Sequence, residues 1–179
     1  MPFPRKNIRL PPDRYTGKNI YFITICCHDR RPVLRDAGVV PEILATLRDL
    51  CSRQEFAVHA YCFMPDHLHL LCEGLSDRSH LVDFLGRFKQ RTAFEYRSTA
   101  NGRLWQDRYY DHILRRADAI EDVAWYIWMN PVRKGLCSGP REFAFSGSFT
   151  LPWNQTVPPA HHWQPPWKQK NAGLKPGAT

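Results

Sequence analysis

Residues 19–27, NIYFITICC, constrain the fold of this chain more than any other stretch. The run is almost continuously apolar and rich in β-branched and aromatic side chains. Successive side chains of a strand point to opposite faces, so this run has no face to give to water. It reads as a strand buried on both faces. Around it the signals alternate. Residues 40–53 carry Pro41 at a position suited to a first helical turn and place Ile43, Leu47 and Leu50 on one stripe. Residues 56–63 (FAVHAYCF) form a second strand, and a turn at Met64-Pro65-Asp66 leads into a third over 67–73. Residues 77–98 form a longer helix with Leu81, Leu85, Phe88 and Thr92 inward and Arg87, Lys89 and Arg91 outward. The last strand falls within 104–115, and Asp118 is expected to cap a helix running to about Met129.

The order is β-α-β-β-α-β with one helix more. This is an α+β fold of the ferredoxin-like, split βαβ kind: an antiparallel sheet, two helices on one face, and an extra C-terminal helix. Many functions share that fold, so it identifies none. At 179 residues the chain holds one domain. Its core is expected over 19–150. Residues 1–18 form a basic arm with four prolines and five basic side chains, and residues 151–179 a tail with six prolines, three lysines and no acid. The tail has too little apolar content for a core of its own and is expected to be extended or disordered, with Trp153, Trp163 and Trp167 as anchors.

With 25 Lys+Arg against 17 Asp+Glu, the net charge of +8 favours a polyanionic partner, because basic groups near phosphates release condensed counterions. No cysteine pair has CxxC spacing among the six present, which argues against a zinc ribbon or a thioredoxin-type site. The N-terminus lacks the apolar core of a secretory signal, and no apolar run approaches the roughly 20 residues of a membrane span. A cytoplasmic protein with reduced thiols is expected.

Two constellations carry chemistry. In Met64-Pro65-Asp66-His67-Leu68-His69-Leu70-Leu71, His67 and His69 share one strand face while Leu68 and Leu70 enter the other. Two imidazoles so spaced can converge on one metal ion; equally, they can cap a sheet edge or sit satisfied in a core. Downstream, Trp125-Tyr126-Ile127-Trp128-Met129-Asn130-Pro131-Val132 places Tyr126 and Asn130 one helical turn apart. The buried stripe there is Ile120, Val123 and Ile127, with Tyr126 on its flank. Pro131 tends to end a helix and biases Asn130 away from helical geometry, which by itself would make Tyr126 an interface aromatic beside a helix stop.

Taken together, His67-Leu68-His69, Leu104-Trp105-Gln106, Asp111-His112 and the run from Tyr126 through Leu136 resemble the REP-associated tyrosine transposases. These form the single-tyrosine branch of the HUH endonucleases. The FAFSGS segment at 143–148 resembles their aromatic-Ser ending, and the likeness spans 18–148 in consistent order. Asp66 stands where that family often has Asn, and is expected to face away from the histidines. The resemblance implies His67 and His69 as metal ligands, Asn130 as a third, Tyr126 as nucleophile, and Mg²⁺ or Mn²⁺ as the ion. Two imidazoles and an amide favour softer metals than Mg²⁺, so Mn²⁺ is the better probe. It also implies cleavage and rejoining of hairpin-bearing single-stranded DNA through a 5′-phosphotyrosine, and is compatible with a homodimer or a self-contained monomer. Candidate phosphate contacts are Arg5, Lys6, Arg9 and Arg14 in the arm and Arg87, Lys89 and Arg91 on the long helix. The competing reading is a non-catalytic single-stranded nucleic-acid-binding module that stacks bases on Tyr21, Phe22 and Tyr61.

Overall fold

The strand that must be buried on both faces lies inside the sheet, with packed layers above and below. The computed structural model describes residues 11–99, 102–115, 118–159 and 163–165. Strand β1 (Ile20–Cys27) leads through two short 3-10 turns into helix α1 (Val39–Arg53). Strands β2 (Phe56–Met64) and β3 (His67–Gly74) form a hairpin, followed by helix α2 (Leu81–Thr99), strand β4 (Trp105–Ile113), helix α3 (Ile120–Trp128), the short α4 (Asn130–Arg133) and the edge strand β5 (Ser146–Gly147). The sheet order is β4-β1-β3-β2-β5, and every pairing is antiparallel.

Strand alternation separates two cores. On one side Tyr21, Ile23, Ile25, Leu68 and Leu70 meet Ile43, Leu47 and Leu50 of α1 and Leu81, Phe84, Leu85 and Phe88 of α2. On the other side Phe22, Ala60, Cys62, Met64 and Leu71 meet Val123, Ala124, Ile127 and Trp128 of α3. Each fully buried side chain of this size contributes about 1.5–3 kcal/mol relative to exposure. The aromatics Tyr21 and Phe22 are spent in these cores, at 0% and 1% exposure. Tyr61 packs against Phe63 and Phe149. These three side chains are therefore engaged in packing, which weakens the case for them as a base-stacking platform.

Two local expectations change. Asp118 does not cap α3: Ala119 holds that position without a side-chain bond. The Asp118 carboxylate accepts instead from the Arg115 amide (2.8 Å) and the Trp163 indole (3.2 Å). Asn130-Pro131 does not leave helical geometry. After a break at Met129 the chain starts another turn with Pro131 near its beginning, where a missing N–H costs nothing. The segment after β5 is anchored through the tryptophans: Trp153 lies 4.4 Å from the Trp128 ring and Trp163 5.1 Å from the Tyr126 ring. Trp167 lies outside the described residues.

Candidate active site

The β2–β3 turn is two residues long, Pro65-Asp66, with Met64 paired to His67. Because Leu68 and Leu70 are drawn into the α1/α2 core, His67 and His69 point to the α3 side. There the two imidazole rings meet edge-on, 4.6 Å between centroids and 85° between planes, and their Nε2 atoms are 3.1 Å apart. Each Nδ1 has its own partner: Asp66 Oδ1 at 2.6 Å for His67 and Thr24 Oγ1 at 2.9 Å for His69. Thr24 is the register partner of His69 on β1. Burial lowers the pKa of both histidines, that of His69 well below the ordinary value. For His67 the bond to Asp66 opposes the shift. Both are neutral near pH 7, the form that binds a metal. Burial works to raise the Asp66 carboxyl, but His67 and Arg30 outweigh it and hold it below the usual range.

These nitrogens fit a divalent cation. Two imidazole nitrogens about 2.0–2.1 Å from one ion, subtending 90–109°, lie about 2.8–3.4 Å apart, and the observed 3.1 Å falls within that span. Among the described residues no group of three or more His, Cys, Asp or Glu could hold a metal, so a cation resting on these two imidazoles would need different donors at its other positions. Asn130 is one candidate, and its nitrogen is already committed. Nδ2 donates to the carbonyls of Tyr126 (3.2 Å) and Ile127 (3.0 Å) at the end of α3. Its carboxamide oxygen is what remains to offer.

Tyr126 projects from α3 toward the same place. With His69, Phe22, Thr24, Arg30 and Arg108 it lines one cleft of about 390 Å³. Its ring is bedded against Phe22, 6.2 Å away, and Phe22 also lies 5.6 Å from the His69 ring. Arg133 clamps it from α4, with Cζ 4.2 Å from the ring centroid and Nη2 donating to the Tyr126 carbonyl at 2.7 Å. Nucleophile candidate and His69 thus share a floor.

Of the basic residues chosen from the sequence, the four among the described residues are placed elsewhere. Arg87, Lys89 and Arg91 sit on α2, behind the sheet from the histidines. Lys89 donates to the carbonyls of Gln106 (2.6 Å) and Asp107 (2.9 Å), and Arg91 pairs with Asp49. Arg14 lies in a 3-10 turn whose carbonyl accepts from the Tyr21 hydroxyl at the start of β1, roughly 17 Å along the strand from the level of His67. Arg5, Lys6 and Arg9 lie outside the described residues. The cations beside the cleft are Arg30, Arg108 and Arg133. Of these, only Arg133 had a readable signal, since seven residues after Tyr126 is two helical turns on the same face. Asp66 corrects an expectation: it does not face away from the pair but holds His67.

The description "Transposase IS200 like" belongs to a family whose model matches residues 16–130, from before β1 to Asn130. The chain belongs to this family. The match takes in both the histidine pair and Tyr126, and the role of this transposase is on DNA. It is 24% identical over 138 residues to the REP-associated tyrosine transposase of Escherichia coli K12, covering 74% of this chain and 78% of that one. A Haemophilus influenzae relative, provisionally named as a REP-associated tyrosine transposase, is 26% identical over 144 residues, covering 74% and 81%. Its fold is similar to that of a REP-associated tyrosine transposase solved bound to a REP hairpin. There the TM-score is 0.63 at 18% identity, over 74% of this chain and 78% of that one. No helix among the described residues of the transposase is long and apolar enough to cross a membrane.

Proposed function

We propose that this transposase cuts and rejoins hairpin-bearing single-stranded DNA, with Tyr126 as the nucleophile and a divalent cation, Mg²⁺ or Mn²⁺, on His67 and His69. Asn130 would contribute its carboxamide oxygen to the same ion. The observation that carries this reading is the shared cleft: Tyr126 lines it together with His69, whose Nε2 converges on that of His67 at 3.1 Å. The relative solved on a REP hairpin supports the choice of DNA.

A bound cation would supply charge withdrawal from a non-bridging oxygen of the scissile phosphate. The chain's own residues do the rest. Phe22 and Arg133 fix the Tyr126 ring, so that its hydroxyl has little orientation left to lose on the way to in-line attack. Arg108 and Arg30, at the cleft wall, neutralise neighbouring phosphates. The Tyr126 oxygen forms a bond to phosphorus as the bond to the 3′-oxygen breaks. The phenolic proton ends on the departing 3′-hydroxyl, directly or through water. The product is a 5′-phosphotyrosine and a 3′-OH, and the phosphodiester energy stays in the linkage. A later 3′-OH attacks the same phosphorus and restores Tyr126, so joining needs no nucleotide cofactor. Water in place of tyrosine would give hydrolysis and no rejoining.

The test is a hairpin oligonucleotide labelled 3′ of the cut, incubated with Mn²⁺ and the wild-type, Tyr126→Phe or His67→Ala protein. A labelled protein–DNA adduct formed by wild type and lost in both variants supports the reading. Cleavage retained by Tyr126→Phe would overturn it.

A further inference from the structure

We propose that Asp66, itself held by Arg30, is the positioning residue of the histidine pair. It commits His67 to the tautomer whose Nε2 lone pair faces the cation position, whereas Thr24 lets His69 exchange tautomers as the cation arrives. This rests on the metal-binding reading above and adds a division of labour between the two ligands.

Protons can be counted along one chain of contacts. Asp66 Oδ1 meets His67 Nδ1 at 2.6 Å, His67 Nε2 meets His69 Nε2 at 3.1 Å, and His69 Nδ1 meets Thr24 Oγ1 at 2.9 Å. An ionised carboxylate can only accept. His67 Nδ1 must therefore donate, and in a neutral imidazole its Nε2 is then a bare acceptor. The proton between the two Nε2 atoms belongs to His69, whose Nδ1 accepts in turn from the Thr24 hydroxyl. Every donor in the chain is ordered from the Asp66 end.

Binding a cation requires both Nε2 lone pairs. His67 already presents its own. His69 must move its proton from Nε2 to Nδ1, where it is donated to Thr24 Oγ1 while the threonine hydroxyl turns away. A hydroxyl both donates and accepts, so Thr24 serves both states. A carboxylate cannot, and it stands at the histidine that does not have to change.

The fold holds Asp66 from several directions. Arg30 Nη1 lies 3.3 Å from its second oxygen. The Cys27 amide donates to the Asp66 carbonyl at 2.9 Å, and the Leu34 amide to that of Pro65 at 3.0 Å. The end of β1 and the segment that follows it thus grip both residues of the β2–β3 turn. Within that segment Asp29 and Arg30 take φ of 52° and 54°, a left-handed pair of non-glycine residues at the bend from which the Arg30 side chain reaches the turn.

The test uses the full chain without DNA and Mn²⁺ alone as the probe. Free Mn²⁺ is read by electron paramagnetic resonance, and the imidazole tautomers of the metal-free protein by ¹⁵N NMR. Asp66→Ala is expected to weaken Mn²⁺ binding about 10–100-fold and to leave His67 populating both tautomers. Asp66→Asn, whose oxygen still accepts, should recover most of the affinity, and Arg30→Gln should fall between. Thr24→Val should weaken binding and Thr24→Ser restore it. The Asn variant and the wild-type NMR spectrum carry the test should Asp66→Ala fail to fold. A folded Asp66→Ala protein that binds Mn²⁺ within about twofold of wild type overturns the proposal. So does a wild-type His67 protonated at Nε2. His67→Ala separates the two readings: if it abolishes binding while Asp66→Ala does not, only the role of Asp66 falls. If neither changes binding, the metal assignment itself falls.

Discussion

Phe22 is where stability and function meet, and replacing it by leucine predicts a loss in both. The residue is 1% exposed and lies 5.6 Å from the His69 ring, 6.2 Å from Tyr126 and 5.9 Å from Trp163. Leucine refills most of the apolar volume, so the large cavity cost of an alanine substitution, about 3–5 kcal/mol, is avoided. What is lost includes these three ring–ring contacts, each worth about 0.5–1.5 kcal/mol beyond burial and spaced near or beyond the middle of the favourable distance range. Phe22→Leu should therefore destabilise the protein by about 1.5–3 kcal/mol, or about 1 M in the urea midpoint at a slope of roughly 2 kcal/mol/M. The matched control is Phe94→Leu. That ring is 77% exposed, and the change should stay within about 0.5 kcal/mol. At urea concentrations where both variants are folded, Phe22→Leu should also form the covalent DNA adduct more slowly, because Tyr126 and His69 share the missing bed. A midpoint shift equal to that of Phe94→Leu, at unchanged slope, would refute the packing argument.

Other outcomes follow from the same geometry. His67, His69 and His112 all have pKa values lowered by burial, so below about pH 6.5 the unfolded chain takes up protons that the native state refuses. Their contribution is complete above that pH and is lost as pH falls toward the native values; urea midpoints measured from pH 7.5 to 5 should drop, and a flat profile contradicts it. Arg133→Gln removes the guanidinium over the Tyr126 ring, worth about 0.5–2 kcal/mol, and should slow adduct formation by about 2–30-fold with little change in DNA affinity. Removing divalent metal should abolish the adduct, Mn²⁺ should restore it, and Mn²⁺ should restore nothing to a His67→Ala His69→Ala double variant. Trp128→Phe deletes the indole bond to the Gly147 carbonyl, 3.0 Å long, and should cost about 0.5–1.5 kcal/mol in urea unfolding for the lost hydrogen bond.

Much of this could be read before any coordinates, and the exceptions have a common cause. β1 announced itself because a strand covered on both sides leaves no polar face, and the histidine pair because alternation with Leu68 and Leu70 settles which way it points. Tyr126 and Asn130 were readable as neighbours on one helical turn. What could not be read depends on pairings between distant segments. Thr24 serves His69 only because β1 and β3 lie in the register Thr24↔His69. Asp66 turns toward His67 because the β1–α1 segment grips its turn and brings Arg30 beside it. The basic side chains of α2, outward by the helical period, lie in the layer behind the histidines because the sheet buries the apolar side of that helix. Asn130-Pro131 carries the usual mark of a helix end, but a proline near the start of a new turn obeys the same rule.

The central claim is that Tyr126 makes the covalent bond to DNA, and peptide mapping of the adduct tests it most directly. Trypsin cuts after Arg116 and Arg133, and Tyr126 is the sole tyrosine between them, whereas Tyr109 and Tyr110 fall together on the peptide after Arg108. After reaction with a hairpin oligonucleotide in Mn²⁺ and nuclease trimming, the mass of a nucleotide should appear on the 117–133 peptide. Its appearance on the peptide with Tyr109 and Tyr110, or cleavage with no modified peptide, would contradict the account.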